Sequence, residues 1–134
     1  MKQKTKILIA ENETLLRESL EITINEQEDM ETIGVASDAT DAPELCRELS
    51  PDLVLISVVT EKNTNGMSAC AKIRKEFPEI KIVVLTSRPE NDVIKEATKA
   101  GAHSFFDKHV GIDDLLYTLR CTMSGMGVCI VRTG

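Results

Sequence analysis

Polar side chains follow the short apolar stretches of the chain, where they could take part in chemistry. Glu11 and Asn12 follow the first stretch, Ser57 follows the third, and Asp107 and Lys108 follow the last. A hard divalent cation such as Mg²⁺ needs several oxygen ligands, and among Glu11, Asn12 and Ser57 only Glu11 supplies a carboxylate. A neutral serine hydroxyl without an adjacent base is a poor nucleophile. These side chains therefore predict weak or absent Mg²⁺ binding and no nucleophilic catalysis by Ser57.

The turn after the first apolar stretch bears on nucleotide binding. It reads Glu11-Asn12-Glu13-Thr14. A phosphate-binding loop needs glycine and exposed backbone N–H groups at this point, which this acidic turn does not offer. A flavodoxin-like binder of a small molecule or nucleotide stays an alternative, but the turn does not favour it.

Short apolar stretches alternate with amphipathic stretches of helical length, which is typical of repeated β-α units around a parallel sheet. The predicted strands are Lys6–Ala10, Thr32–Ala36, Leu53–Ile56, Lys81–Leu85 and Ser104–Phe106. Each of the five predicted helices carries one apolar stripe at three-and-four spacing. We expect an α/β fold with a doubly wound five-stranded parallel sheet, (βα)5.

That fold would bring the polar side chains together. The carboxyl ends of parallel strands lie at one edge of the sheet, and ligands of such sheets bind there, near the switch in strand order. Glu11, Asn12, Ser57, Thr86 and Lys108 all come at or just after the ends of predicted strands. We therefore expect any functional site at this edge.

Length and charge limit the classes of protein to which the chain could belong. Its 134 residues fit one domain, predicted at residues 1–123, with residues 124–134 as the start of a C-terminal linker or tail. A net charge of -6 repels nucleic acid, so we expect DNA contact only through a domain outside this chain. No apolar run approaches the roughly 18 residues of a membrane span, which predicts a cytoplasmic protein without membrane contact. The four cysteines are expected to be free thiols.

Taken in order, four segments of the chain resemble the receiver domain of bacterial two-component response regulators. They are Ile7-Leu8-Ile9-Ala10-Glu11-Asn12, Pro51-Asp52-Leu53-Val54-Leu55-Ile56-Ser57, Val83-Val84-Leu85-Thr86 and Ala100-Gly101-Ala102-His103-Ser104-Phe105-Phe106-Asp107-Lys108. The resemblance covers essentially the whole span from Lys6 to Met123, and it implies the flavodoxin-like strand order 2-1-3-4-5. The segment from Leu15 to Leu20 and the Gly-rich tail are most similar to the NarL/LuxR-type subgroup, in which the receiver precedes a helix-turn-helix DNA-binding domain.

This resemblance implies a phosphorylation site at the carboxyl edge of the sheet. In the family, a carboxylate at the end of the third strand accepts a phosphoryl group from a histidine kinase, and two acids at the end of the first strand help to hold Mg²⁺. A hydroxyl and a lysine bind the product, and an aromatic residue changes its packing on activation. By position, Thr86 matches the hydroxyl, Lys108 the lysine and Phe105 the aromatic residue, although Thr86 would serve equally as an ordinary strand end.

Two of those positions depart from the family. Ser57 stands where the family has its phosphoacceptor aspartate, and Asn12 stands where it has the second acid. Of the three expected carboxylates only Glu11 remains, so we expect a degenerate receiver that is not phosphorylated in the usual way. An alternative is a phosphorylatable receiver that uses another carboxylate, such as Glu61 or Asp107.

Specific expectations follow for the site residues. Glu11 and Lys108 should approach each other directly or through water, with the lysine filling space that a metal would otherwise occupy. The Ser57 hydroxyl should bond to backbone, Asn12 should cap the first helix, and Phe105 should belong to the core.

The function expected from the sequence is signalling through protein contacts, without enzymatic activity and without a cofactor. The expected partner is a histidine kinase or another signalling protein, with a homodimer as a further option. The last, fourth and first helices are the expected contact surfaces. Regulation of transcription would require a downstream DNA-binding domain.

Overall fold

The chain folds into three layers, with helices on both sides of a central sheet, in a computed structural model that describes residues 3–58, 65–87 and 90–131. The strands are β1 (Thr5–Ala10), β2 (Met30–Ala36), β3 (Leu53–Ser57), β4 (Lys81–Thr86), β5 (Ser104–Asp107) and β6 (Cys129–Ile130). The helices are α1 (Thr14–Asn25), α2 (Ala42–Leu49), α3 (Asn65–Glu76), α4 (Asn91–Lys99) and α5 (Ile112–Met123), with a short 3₁₀ turn (Ala39–Asp41) before α2.

All strand pairs in the sheet are parallel, and the strand order is β2-β1-β3-β4-β5-β6. The five predicted strands are confirmed, each within two residues of its predicted ends. Their predicted order is confirmed as well. The prediction of a five-stranded sheet is wrong, because the tail adds a sixth strand beside β5. Cys129 pairs with Phe105 and Ile130 with Phe106, so part of the predicted linker is packed on the sheet.

Two apolar cores flank the sheet and explain why β1, β3 and β4 read as continuous apolar runs. One core joins the sheet to α1 and α5 and includes Ile9, Leu20 and Leu115. The other joins it to α2, α3 and α4 and includes Leu8 and Ile73. Successive side chains of a strand point to opposite faces, so parity along a strand decides which core a residue enters.

Cys46 and Cys70 lie in the second core as free thiols. Burial raises the pKa of Cys46 to about 11 and that of Cys70 to about 12. Because the thiolate is the reactive form, both are expected to be inert at neutral pH.

The described residues contain no helix with the length and apolarity needed to cross a bilayer.

His103 joins the start of β5 to the start of β4. The ring nitrogen Nδ1 of His103 accepts a hydrogen bond of 3.0 Å from the backbone N–H of Ile82. The backbone N–H of His103 donates to the Ile82 carbonyl at 2.8 Å. Burial lowers the pKa of His103, and the positive charges of Arg74 and Lys81 lower it further. A ring nitrogen that accepts a hydrogen bond carries no proton, so the folded state favours the neutral imidazole.

We expect the free energy of unfolding to decrease as the pH is lowered, because His103 is protonated more readily in the unfolded chain. The pKa of His103 is lower in the folded chain than in the unfolded chain, so the unfolded chain binds the proton first. The loss of stability therefore begins near the ordinary histidine pKa of 6.5. Urea unfolding of the wild type and His103→Asn, from about pH 7.5 to about pH 5.5, checks this. The wild type should lose more free energy of unfolding than the variant, whose amide oxygen still accepts a hydrogen bond. Equal losses would assign the pH dependence to other groups.

Candidate functional site at the carboxyl edge of the sheet

Glu11 is held at the end of β1 by three hydrogen bonds. Its N–H donates to the Ala36 carbonyl at 3.0 Å, and its own carbonyl accepts from the Arg17 guanidinium at 2.8 Å. Side-chain oxygen Oε2 accepts from the Glu13 N–H at 2.8 Å. The Glu11 side chain is 0% exposed, so its carboxylate points into the domain rather than into solvent.

Lys108 lies opposite Glu11 and forms a buried ion pair with it. Its Nζ is 2.9 Å from Glu11 Oε1 and 3.6 Å from Glu13 Oε1, and its side chain is 10% exposed. Glu11 Oε1 accepts no hydrogen bond of good geometry within the described residues, so the ion pair balances its charge. The predicted approach of Glu11 and Lys108 is therefore confirmed, as a direct contact.

The ion pair extends across the ends of two intervening strands. Glu11 follows β1 and Lys108 follows β5, with β3 and β4 between them in the sheet. Neighbouring strands are about 4.8 Å apart, so the two backbones are separated by three spacings, or about 14 Å. Both side chains must extend along this edge to meet, which takes them over the end of β3.

Ser57 ends β3 beneath this pair. Its residue is 4% exposed, and side-chain alternation from Ile56 places it on the α1 and α5 side of the sheet, as it does Glu11 and Lys108. The hydroxyl Oγ has no hydrogen-bond partner among the described residues. The expected hydroxyl bond to backbone is therefore not found there. A small, neutral and buried side chain therefore occupies the position at which the receiver family has its phosphoacceptor aspartate.

Asn12 is exposed and does not cap α1, so that expectation is wrong. The N-cap of α1 is Glu13, which makes no side-chain capping bond. The physical reason lies in Glu11, whose carboxylate binds the Glu13 N–H and fixes the turn one residue further along the chain. Asn12 is left pointing outward, away from the buried carboxylate.

Thr86 and Phe105 are buried on the opposite side of the sheet from the ion pair. Phe105 is in the core against α4, as expected, and Thr86 is 0% exposed at the end of β4. The Thr86 carbonyl accepts a hydrogen bond of 2.8 Å from the Lys108 N–H. This backbone contact ties Thr86 to the position of the lysine.

Two further acidic residues, Glu13 and Asp107, lie at this edge of the sheet. Glu13 flanks the Lys108 ammonium, which no spacing signal indicated. Asp107 is 0% exposed, and its Oδ1 accepts from the His109 N–H at 2.9 Å and lies 3.0 Å from His109 Nδ1. Glu61, the other alternative carboxylate, lies outside the described residues.

Within the described part of the chain, the donor set at this edge does not fit a divalent cation. Among the described residues no group of three or more histidine, cysteine, aspartate or glutamate side chains could hold a metal ion. Glu11 and Glu13 are the carboxylates beside Lys108, and an ammonium already lies against both. Mg²⁺ requires near-octahedral oxygen ligation, and a lysine in contact with the acidic oxygens opposes it by charge and by volume.

A small cavity lies beside the ion pair. Its volume is about 30 Å³, and it lies next to the Lys108 side chain, between α1, α5 and the sheet, with Leu16, Phe106 and Ile112 among its walls. It has room for about two water molecules.

The strand order and the positions of Glu11 and Lys108 at the carboxyl edge agree with the resemblance to the receiver class of signalling domains. The chain belongs to the response regulator receiver domain family, whose profile matches residues 7–120. It is 30% identical over 123 residues to response regulator protein VraR of Staphylococcus epidermidis, and 29% identical over 120 residues to oxygen regulatory protein NreC of the same species. These alignments cover 92% and 90% of this chain but 58% and 55% of the relatives, so it spans little more than half their length.

Solved structures agree with this membership. A LuxR-family response regulator from Aurantimonas sp. SI85-9A1 superposes with a TM-score of 0.86 at 21% identity, covering 94% of this chain and 89% of that one, and shows the shared fold. The response regulator domain of Thermotoga maritima CheB superposes with a TM-score of 0.81 at 26% identity, covering 91% of this chain and 98% of that one.

Proposed function

We propose that this receiver domain signals through protein contacts and does not undergo Mg²⁺-dependent phosphorylation. The observation that carries the proposal is the ion pair of 2.9 Å between Lys108 and Glu11. It joins the lysine that would bind a phosphoryl group to the acid that would bind the metal. Each group therefore satisfies the other, and neither is available for the chemistry of the family.

The acceptor position supports the same conclusion. Ser57 has no negative charge, and no general base contacts its hydroxyl among the described residues. Its hydroxyl oxygen is buried, so a phosphoryl donor would reach it only if the surrounding groups moved. Asp107 is a poor substitute, because it is fully buried, engaged with His109 and placed by strand parity on the opposite side of the sheet.

Exposed apolar side chains support the protein-contact part of the proposal. Leu15 and Ile22 lie two turns apart on α1 and are 84% and 61% exposed, and Tyr117 on α5 is 56% exposed. The proposed partner is a histidine kinase, another signalling protein or a second copy of the domain. In a protein of the length of VraR or NreC, the domain would regulate a DNA-binding output domain.

Phosphorylation is tested by incubating the chain with acetyl phosphate and Mg²⁺ and measuring intact mass. We expect no phosphorylated species. A stoichiometric, Mg²⁺-dependent mass increase would overturn the proposal. Ser57→Ala and Asp107→Asn would then locate the modified group.

Mg²⁺ binding gives an independent prediction. The thermal unfolding midpoint should be the same in EDTA and in Mg²⁺ at about 10 mM, because a ligand stabilises a fold only if it binds the native state. Ca²⁺ and K⁺ at matched ionic strength separate specific binding from charge screening. An upward shift specific to Mg²⁺ would mean that Glu11 leaves Lys108 for the cation.

The contact surface is tested with Leu15→Glu combined with Ile22→Glu. Both positions are exposed, so the free energy of unfolding should change by less than about 0.5 kcal/mol. Self-association measured by sedimentation, or binding to a receiver-interacting kinase domain, should be lost. Glu18→Gln with Glu26→Gln, on exposed positions of the same helical region, is the matched control and should leave association intact.

A further inference from the structure

The edge of β5 is covered by the chain's own tail, through contacts that fit this segment closely. The Phe105 N–H donates to the Val128 carbonyl at 2.8 Å, and the Val128 N–H donates to the Ser104 hydroxyl at 3.0 Å. Cys129 and Ile130 then continue as β6. Without the tail, β5 would be the open edge of the parallel sheet, with unpaired backbone groups facing outward.

A chain of buried hydroxyl groups supports the tail from beneath. Ser104 Oγ lies 2.6 Å from Thr122 Oγ1, which itself donates to the Thr118 carbonyl at 2.7 Å. Since the Thr122 proton is used in that bond, Ser104 donates to Thr122 and accepts from Val128. Ser104 and Thr122 are buried, and the tail N–H completes their hydrogen bonding. The β5 edge therefore has hydrogen-bonding groups in position to bind one further strand.

Gly127 sets a steric condition on what can dock there. A Cβ placed on Gly127 would lie 2.5 Å from the backbone carbonyl oxygen of His103, which is closer than such atoms approach. Only a glycine at this position allows the tail to lie flat against the start of β5. Next to the strand, a groove of about 270 Å³ separates β6 from α4, with Ile94, Ala97 and Phe105 among its walls.

The docked tail is weakly held compared with the rest of the sheet. β6 has two residues, and the turn that leads to it contains Gly125, with φ +94° and open space around the position of a Cβ. Met126 is 60% exposed and Val131 is 38% exposed, so docking leaves large apolar side chains uncovered. Opening at Gly125 would release the segment and would remove from the α1 and α5 core only the packing of Ile130, which lies at its margin and is partly buried.

We propose that the β5 edge is a strand-docking surface, filled here in cis by residues 127–131, and that the partner it fits is the same segment of a second copy of this chain. An identical segment supplies the same glycine, the same Val128 N–H and the same paired residues, so exchange between copies preserves every docking contact. A short linker gives the cis segment an effective concentration on the order of mM, so exchange becomes competitive only as the protein concentration approaches that range.

Detachment and dimerisation are then coupled. Releasing the tail in cis opens the Phe105 edge, and the edge closes again when the tail of a partner copy occupies it. The surface is distinct from the exposed apolar face of α1, and the proposal does not depend on whether the carboxyl-edge site takes up phosphate.

Shortening the turn between α5 and β6 tests the proposal directly. Deleting Gly125 and Met126 leaves too little chain to reverse direction after α5 and reach β5 of the same molecule. We expect this variant to sediment as a dimer at concentrations where the full chain is monomeric. Adding Gly127→Val should return it to a monomer, because the added Cβ meets the His103 carbonyl in trans as it does in cis. A monomeric deletion variant, or a dimer that persists with Gly127→Val, would overturn the proposal.

A cross-link identifies strand exchange in the full chain, without relying on the deletion variant to fold. Thr98 of α4 and Cys129 of β6 line the same groove, so Thr98→Cys in a Cys121→Ser background places two thiols together. A short bis-maleimide should join them within one chain at micromolar concentration. After brief warming and cooling at about millimolar concentration, the fraction joined between two chains should rise at least several-fold. An interchain fraction that is independent of concentration contradicts exchange.

Discussion

Lys108→Met is expected to lower the free energy of unfolding by about 3–5 kcal/mol, which is the usual cost of removing one partner from a buried ion pair. The reason lies in Glu11, whose side chain is 0% exposed and whose Oε1 has no other partner among the described residues. Methionine keeps the apolar stem and removes the ammonium. The carboxylate would then stay buried without a compensating charge, or bind a proton and lose its charge.

A double-mutant cycle measures the part of this loss that belongs to the pair. Glu11→Gln keeps an oxygen that can accept from the Glu13 N–H and leaves the Lys108 ammonium beside Glu13, so it should cost less than Lys108→Met. The double variant should recover at least about 2 kcal/mol relative to the sum of the single variants. Urea unfolding at neutral pH gives all four values.

The matched control for this cycle is Glu13→Gln. Glu13 is 62% exposed and lies 3.6 Å from the same ammonium, so its removal should cost no more than about 1 kcal/mol. Additive single losses for Glu11 and Lys108 would show that the contact contributes no coupling. The proposal that this ion pair makes both groups unavailable for phosphorylation would then fail.

The pairing of Glu11 with Lys108 could be predicted because it follows from charge and topology together. Parallel strands bring their carboxyl ends to one edge, and a sequence with one acid and one lysine left at that edge has little else to pair them with. The burial of Phe105 was predictable for a similar reason, since apolar runs and parity determine which face each residue enters. The strand order was expected from the resemblance to receiver domains. These features depend on patterns that extend over many residues.

The features that escaped prediction depend on single hydrogen bonds. Asn12 has the residue type of an N-cap, but the Glu11 carboxylate binds the Glu13 N–H and moves the start of the helix. The strand β6 escaped because two residues between glycines carry no periodic signal, and its docking relies on the Ser104 hydroxyl, which the sequence presents as an ordinary strand residue. Local competition for one N–H is invisible to composition and spacing.

Restoring both missing acids, Ser57→Asp with Asn12→Asp, is expected to convert the site into one that binds Mg²⁺ and accepts a phosphoryl group. The new carboxylate at position 57 would follow β3 next to Glu11, and the two would share the single Lys108 ammonium. Without metal, this extra buried charge should destabilise the variant by about 1–3 kcal/mol. The thermal midpoint in EDTA should therefore fall below that of the wild type.

Mg²⁺ should reverse part of this loss, since the cation would replace the ammonium as the partner of the acidic oxygens. At a concentration ten times its dissociation constant, a ligand that binds the native state stabilises it by about 1.4 kcal/mol, so the variant's midpoint should rise with Mg²⁺ while that of the wild type stays constant. Acetyl phosphate with Mg²⁺ should then add one phosphoryl group to the variant. Asn12→Asp alone, at an exposed position, should show neither effect. If Ser57→Asp with Asn12→Asp stays insensitive to Mg²⁺, the loss of the two acids is not what disables the site, and the Lys108–Glu11 pair alone must exclude the cation.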